Sequence, residues 1–327
     1  MKNLSVRLLL SSLLLAPCAV AQSDADLSAQ LTRLMEWWPG EYDNHEQIVR
    51  QSGGGLSENV EKPFLRLHTV MRPLTAIALG EHLLLLTEYQ HNRPVDQRRR
   101  RLLAVSVDKQ ARALRVTQWD TTQALDTAQP VDAATLKPLG PECDVLLHYV
   151  GGQFEGGTLP LSCHGPNGFW HVDFVIGPRY FWQREREMDR KGKVLSELAP
   201  GAGDAWYEES KARLFSCEVH ENPDGIMAQT KYLTTIHLHD QGGEADIAWP
   251  DGRTLTFTIH ERAFTSPPDR EYPLFRVHEK GKTVPIAYAY AVDGASRFGL
   301  NLGWFYIRCY AEGDSSSVED RMRPKAR

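Results

Sequence analysis

Arg99 and Arg101 stand two residues apart in the run Arg98-Arg99-Arg100-Arg101-Leu102-Leu103, which reads as a β-strand. Two-residue spacing puts both guanidinium groups on one face. Arginine's planar fork binds carboxylates through paired hydrogen bonds, so such a face suits an acidic ligand group. Glu88, in Leu86-Thr87-Glu88-Tyr89, lies on the preceding strand of the same hairpin. The plainer outcome for these residues is a cross-strand ion pair on a solvated outer face. His237-Leu238-His239 places two imidazoles on one strand face beside Asp240, a start for a zinc or copper site. Two such residues on a strand arise readily by chance among 12 histidines, so no resident metal is expected. Glu185, Arg186, Glu187, Asp189 and Arg190 read as a solvated hairpin. The sequence carries no Gly-x-Ser-x-Gly, phosphate-loop, dinucleotide or zincin motif, which leaves hydrolase and nucleotide-enzyme readings without local support.

The elements that must position these residues are mostly strands. Leu27, Leu31, Leu34, Met35 and Trp38 recur at helical spacing, with Ser23 or Asp24 as cap and Pro39-Gly40 as the stop. A second short helix is expected from Asn44 to Arg50, ending at Gly53-Gly54-Gly55. From Phe64 the period changes to two, with strands over Phe64–Arg72, His82–Gln90, Arg99–Val107, Ala113–Trp119, Asp144–Val150, Gly168–Ile176 and Tyr180–Arg186. A second series follows over Tyr232–His239, Ala245–Trp249, Thr254–His260, Leu274–Val277, Val284–Ala291 and Leu300–Tyr310. Strands without alternating helices argue for an antiparallel barrel or sandwich.

The chain has 327 residues, 42% hydrophobic and 24% charged, which is the balance of a folded globular protein. A net charge of −5 lacks the basic footprint of a nucleic-acid binder, so no nucleic-acid partner is expected. Lys2 and Arg7, the apolar stretch Leu8 to Leu15 and Ala19-Val20-Ala21 read as a signal peptide cleaved after Ala21. The apolar stretch is too short to span a bilayer, so no transmembrane segment is expected. Pro17 directly before Cys18 argues against lipidation there. Export to a periplasmic or extracellular space leaves Cys143, Cys163, Cys217 and Cys309 in an oxidising compartment, where two disulfides with three connectivities can form. The hairpin-like stretch between them favours Cys143–Cys163, and therefore Cys217–Cys309.

The run Leu34-Met35-Glu36-Trp37-Trp38-Pro39-Gly40-Glu41-Tyr42-Asp43-Asn44-His45-Glu46-Gln47 resembles the opening of the CpcT/CpeT-type chromophore lyases, a helix leading through Trp-x-x-Gly-x-Phe/Tyr-x-Asn-x-x-Gln. Further pieces follow in the same order over about residues 28–218. Arg66-Leu67-His68 with Met71-Arg72-Pro73-Leu74 resembles the family's first strand, and Leu86–Tyr89 followed by Arg99–Leu103 its Glu and Arg-x-Arg strands. Cys143-Asp144-Val145, Phe154-Glu155-Gly156-Gly157-Thr158, Cys163 and the stretch Trp182–Gly192 are similar to its later elements. The chain departs from the pattern at Arg98, where the family has Tyr, and at Gln183, where it has Asp.

The resemblance implies a mainly β protein: a calycin-like antiparallel barrel after a short helix, holding a linear tetrapyrrole (bilin) in its mouth. It implies a lyase that attaches the bilin to a reactive cysteine of an acceptor protein, with the bilin as substrate and no built-in cofactor. In that setting Glu88 partners the pyrrole nitrogens or donates a proton. Arg99 and Arg101 clamp the propionates, and Tyr89, Tyr42 and Trp182 form cavity walls. The expected division is a signal peptide over 1–21, the barrel over 22–218, a second all-β domain over 219–311 and a disordered tail over 312–327. The alternative is an exported lipocalin-like protein that binds a small hydrophobic ligand without lyase activity.

Overall fold

The structure, a computed structural model, describes residues 24–51, 65–76, 79–90, 97–121, 136–197, 206–222, 230–263, 271–282 and 284–313. The expected signal peptide, the Gly53–Gly55 stop and all but the start of the tail lie outside these residues. Helix α1 (Asp24–Trp37) ends at Pro39 and passes into β1 (Gly40–Asp43), followed by the short α2 (His45–Gln51). The strands β2 (Leu67–Ala76), β3 (Gly80–Gln90), β4 (Gln97–Asp108) and β5 (Ala113–Asp120) come next, then the two-residue β6 (Lys137–Pro138). They continue as β7 (Val145–Val150), β8 (Gln153–Thr158), β9 (Phe169–Ile176), β10 (Tyr180–Met188), β11 (Val194–Glu197) and β12 (Tyr207–Lys211).

Ten of these strands close an antiparallel ring in the order β10-β12-β1-β2-β3-β4-β5-β7-β8-β9, with β9 pairing back to β10. β6 and β11 extend it from β5 and β10. Alternation along each strand sends one set of side chains inward. Met71, Leu84, Leu86, Leu103, Val105, Leu114, Val116, Leu147, Phe154, Phe174 and Phe181 thereby form one interior cluster. α1 closes the end of the barrel that holds the β4–β5, β7–β8 and β9–β10 turns. Its Leu34 and the following Trp38 are fully buried in the same cluster. The Trp38 ring meets Phe174 and Phe181 edge-on at 6.0 Å, and Trp37 packs on Phe154 at 5.8 Å. Cys143 and Cys163 are joined as expected, closing the segment that carries β7 and β8.

The second half contributes β13 (Leu214–Glu221), β14 (Lys231–His239), β15 (Gln241–Ala248), β16 (Thr254–Ala263), β17 (Glu271–Glu279), β18 (Ala287–Tyr290), β19 (Arg297–Asn301) and β20 (Phe305–Ala311). They form two four-stranded antiparallel sheets, β14-β13-β20-β19 and β15-β16-β17-β18. The sheets share a core built on Phe215, Phe257, Phe275, Phe305 and Trp249. Cys217 and Cys309 face each other across β13 and β20 and are bonded. Among the described residues no helix is long and apolar enough to cross a membrane.

β13 pairs with β14 and β20. One sequence expectation changes. Leu300–Tyr310 is two strands: Gly303, at φ +84°, turns the chain, and its N–H donates to Asn301 Oδ1 at 2.9 Å. The domains meet at Arg66. It donates to the Asp43 carboxylate at 3.2 Å through both Nε and Nη2, and to the Gln241 and Gly242 carbonyls at 3.1 and 2.7 Å. Gly242 takes φ +77°, and a Cβ there would sit 2.6 Å from His45 Nδ1.

Trp38 tests the role of α1 as a plug. Truncating a large buried aromatic typically costs about 3–5 kcal/mol, so Trp38→Ala is expected to lower the unfolding free energy by that much, read as a lower urea midpoint at unchanged m-value.

Candidate functional site

The inward face of several barrel strands changes from apolar to polar along its length. On β4 the order is Val105, Leu103, Arg101, Arg99, and on β3 it is Leu84, Leu86, Glu88. On β10 it is Phe181, Gln183, Glu185, and on β5 Leu114, Val116, Gln118. The polar ends all fall at the end of the barrel opposite α1. The result is an interior whose lower half is the apolar cluster and whose mouth is a charged network.

Glu88 is fully buried at its centre. Its Oε2 accepts from Arg98 Nη1 at 2.7 Å, and its Oε1 from Arg99 Nη2 at 3.1 Å and Gln183 Nε2 at 2.9 Å. Arg99 also donates to Gln183 Oε1 at 2.7 Å and pairs with Glu185. Arg101 donates to Asp120 at 2.9 Å, and its guanidinium lies 4.3 Å from the Trp170 ring centroid. The mouth therefore gathers Glu88, Arg99 and Arg101 on one inner surface. Glu185, read from sequence as part of a solvated hairpin, is buried here against two arginines. A groove of about 180 Å3 opens above them, lined by Arg98, Pro166, Trp170, Glu185, Arg186 and Ser196 among others.

Glu209 is the member that sequence reasoning missed, and Gln183, noted there only as a departure from the family pattern, joins it. Gln183 Nε2 donates at 2.7 Å to Glu209 Oε1 as well as to Glu88. An ionised aspartate at position 183 would offer no donor and would add a third carboxylate, so the glutamine fits this charge set. Burial, with the negative charge of Glu88 added, raises the Glu209 carboxyl well above its usual range. Burial opposes the charge of Glu185 too, but Arg99 and Arg101 outweigh it and hold that carboxyl below the usual range. The available signal was the alternation Phe181-x-Gln183-x-Glu185 and Tyr207-x-Glu209, which puts each set on one strand face. Arg99 Nε and Glu209 Oε2 are buried and make no hydrogen bond among the described residues.

The remaining predicted wall residues lie elsewhere. Tyr42 is in the apolar interior, its hydroxyl donating to the Trp38 carbonyl at 2.9 Å. Tyr89 faces outward into a groove beside His68 and His239. Trp182 is on the outer face of β10, its ring 5.2 Å from Tyr180, in a groove of about 400 Å3 that also meets Lys211, Gln241 and Glu261.

No protein-family model matches the chain, and no curated protein does. Among solved structures it is similar to the T-type phycobiliprotein lyase CpeT from Prochlorococcus phage P-HM1. The identity is 11% and the TM-score 0.34, over 55% of this chain and 96% of that one.

Glu209 gives the mouth a pH signature. The folded chain keeps a proton that the unfolded chain releases in the ordinary carboxylate range. This contribution to stability is complete below that range and is lost as pH rises toward the folded value. Glu209→Gln keeps the shape and the accepting oxygen. The stability difference between variant and wild type, followed by urea unfolding from acid to neutral pH, is expected to grow in the variant's favour as pH rises. A difference that does not vary with pH refutes a protonated Glu209.

Proposed function

We propose that the barrel binds a carboxylate-bearing small molecule at its charged mouth, and that the ligand class is a linear tetrapyrrole. The observation that carries this reading is the placement of Arg99 and Arg101 on the inner face of the barrel's polar end, with the Arg99 Nε atom buried and without an acceptor among the described residues. Propionates suit such groups because the guanidinium fork matches a carboxylate, and low local polarity strengthens the pairing. The Trp170 ring beside Arg101 offers a flat surface to a conjugated ligand. A groove of about 180 Å3 takes one propionate-bearing end, with the rest of the molecule lying across the opening. The sequence resemblance supplies the ligand class, and the buried charges supply its point of attachment.

A transfer role is the second reading, and Glu209 favours it. Joining a thiol to an ethylidene carbon forms a C–S bond while the thiol proton passes to the tetrapyrrole, with no net oxidation. A carboxyl shifted toward its neutral form beside Glu88 can relay that one proton, giving its own to the tetrapyrrole as it takes up the thiol's. Cys143, Cys163, Cys217 and Cys309 are all tied in disulfides, so the thiol would come from an acceptor protein. Those disulfides also suit an exported, oxidising setting.

Biliverdin titrated into tag-free, disulfide-intact protein and followed by absorbance tests the binding reading. A saturable, red-shifted spectrum is expected. Arg101→Lys keeps the charge but loses the fork, and Arg98→Ala removes a lining cation; each should weaken binding about tenfold, the scale of one lost charged hydrogen bond. No spectral change at ligand concentrations on the order of tens of micromolar, or wild-type affinity in both variants, would overturn it.

A further inference from the structure

The groove that Tyr89 faces, about 310 Å3, runs between the barrel's outer face and the second domain, with Glu41, His68, Arg72, His237 and His239 also on its walls. At its floor three buried side chains converge. Asp43 on β1 and His68 on β2 are register partners, which places both on the outer face of the barrel wall, away from Tyr42. His239, at the end of β14, reaches them from the other domain. One donor atom from each of the three lies within 4.8 Å of the others.

The local bonding leaves this cluster incomplete. His68 Nδ1 sits 3.3 Å from Asp43 Oδ2, and Nε2 sits 3.2 Å from Glu41 Oε2. Arg66 grips the Asp43 carboxylate and fixes it against the second domain. The His239 ring lies on His68 at 4.8 Å and is 6% exposed, yet neither of its nitrogens has a hydrogen-bond partner among the described residues. A buried ring with two unmatched nitrogens is uncommon and calls for an occupant.

We infer that Asp43, His68 and His239 form a binding site for a divalent transition cation, zinc or copper, held between the two domains. Two imidazole nitrogens and one carboxylate are a borderline donor set, which suits these ions over calcium or magnesium. The cation takes the place between His68 Nδ1 and the Asp43 carboxylate, which stand 3.3 Å apart. Glu41 then receives the remaining N–H of His68 and orients the ring, the usual outer carboxylate of a histidine ligand. The fourth position faces the groove and is open to water or a small anion. His237, the residue that made this strand conspicuous in the sequence, is exposed and bonded to Glu312 at 2.7 Å. It is no part of the set.

Calorimetric titration of tag-free, chelator-treated, full-length protein with zinc chloride, and separately with copper(II) chloride, tests this site. One equivalent is expected to bind with a dissociation constant on the order of a micromolar or tighter. His239→Gln should weaken it about 100-fold or more, while His237→Ala leaves it unchanged. The copper complex should show coupling to two nitrogens in its paramagnetic resonance spectrum. That measurement needs only the native protein and stands even where the His239 variant fails to fold. No binding, undiminished binding in His239→Gln, loss in His237→Ala, or fewer than two coupled nitrogens overturns the assignment.

Discussion

A ring of ten strands encloses more space than a small barrel's own inward side chains can close over. The first half of this protein is an answer to that geometry. At one end the filling is apolar: α1 lays Leu34 and Trp38 into a cluster supplied by nearly every strand. Close packing here is what makes the ring a body and not a flexible sheet. At the other end the filling is ionic, and there the cost of taking charges out of water is offset only by their mutual contacts.

That trade explains the composition of the mouth. Arg98, Arg99 and Arg101 meet Glu88, Glu185 and Asp120, so cations and anions balance without outside help. Glu209 is the carboxyl left over, and burial beside Glu88 shifts it toward its neutral form. Gln183 carries the hydrogen bonds between the charged pair and the neutral acid, a task that needs a donor and an acceptor on one side chain. A ligand carboxylate entering such a place does not find a vacant cation. It competes with Glu185 for Arg99, and selectivity then follows from which acid completes the network better.

The strands were legible from residues alone because most carry an apolar inward face. β2 through β5, β9 and β10 fall within a few residues of where alternation puts them. β1, β12 and β13 were not read. Gly40–Asp43 is four residues long, and Tyr207–Lys211 buries a glutamate where a strand signal needs an apolar residue. Period two shows that Arg99 and Arg101 share a face, but it is silent on which face turns inward. Ring closure decides that, and closure depends on the pairing of β9 with β10. The His68–His239 contact is beyond any local pattern, because its members belong to different sheets and meet only once both domains have folded.

Each disulfide lies within one β body, and no strand of the barrel pairs with a strand of the second domain among the described residues. Their join is held by Arg66, spanning from Asp43 to two carbonyls at the tight corner of Gly242. In mechanical terms the molecule is two stapled boxes latched at Arg66, beside the stacked rings of His68 with His239 and His45 with His260. Reduction would loosen each box separately and leave the latch closed. A change in charge at the latch would weaken the join without breaking a covalent bond or a ladder of either sheet.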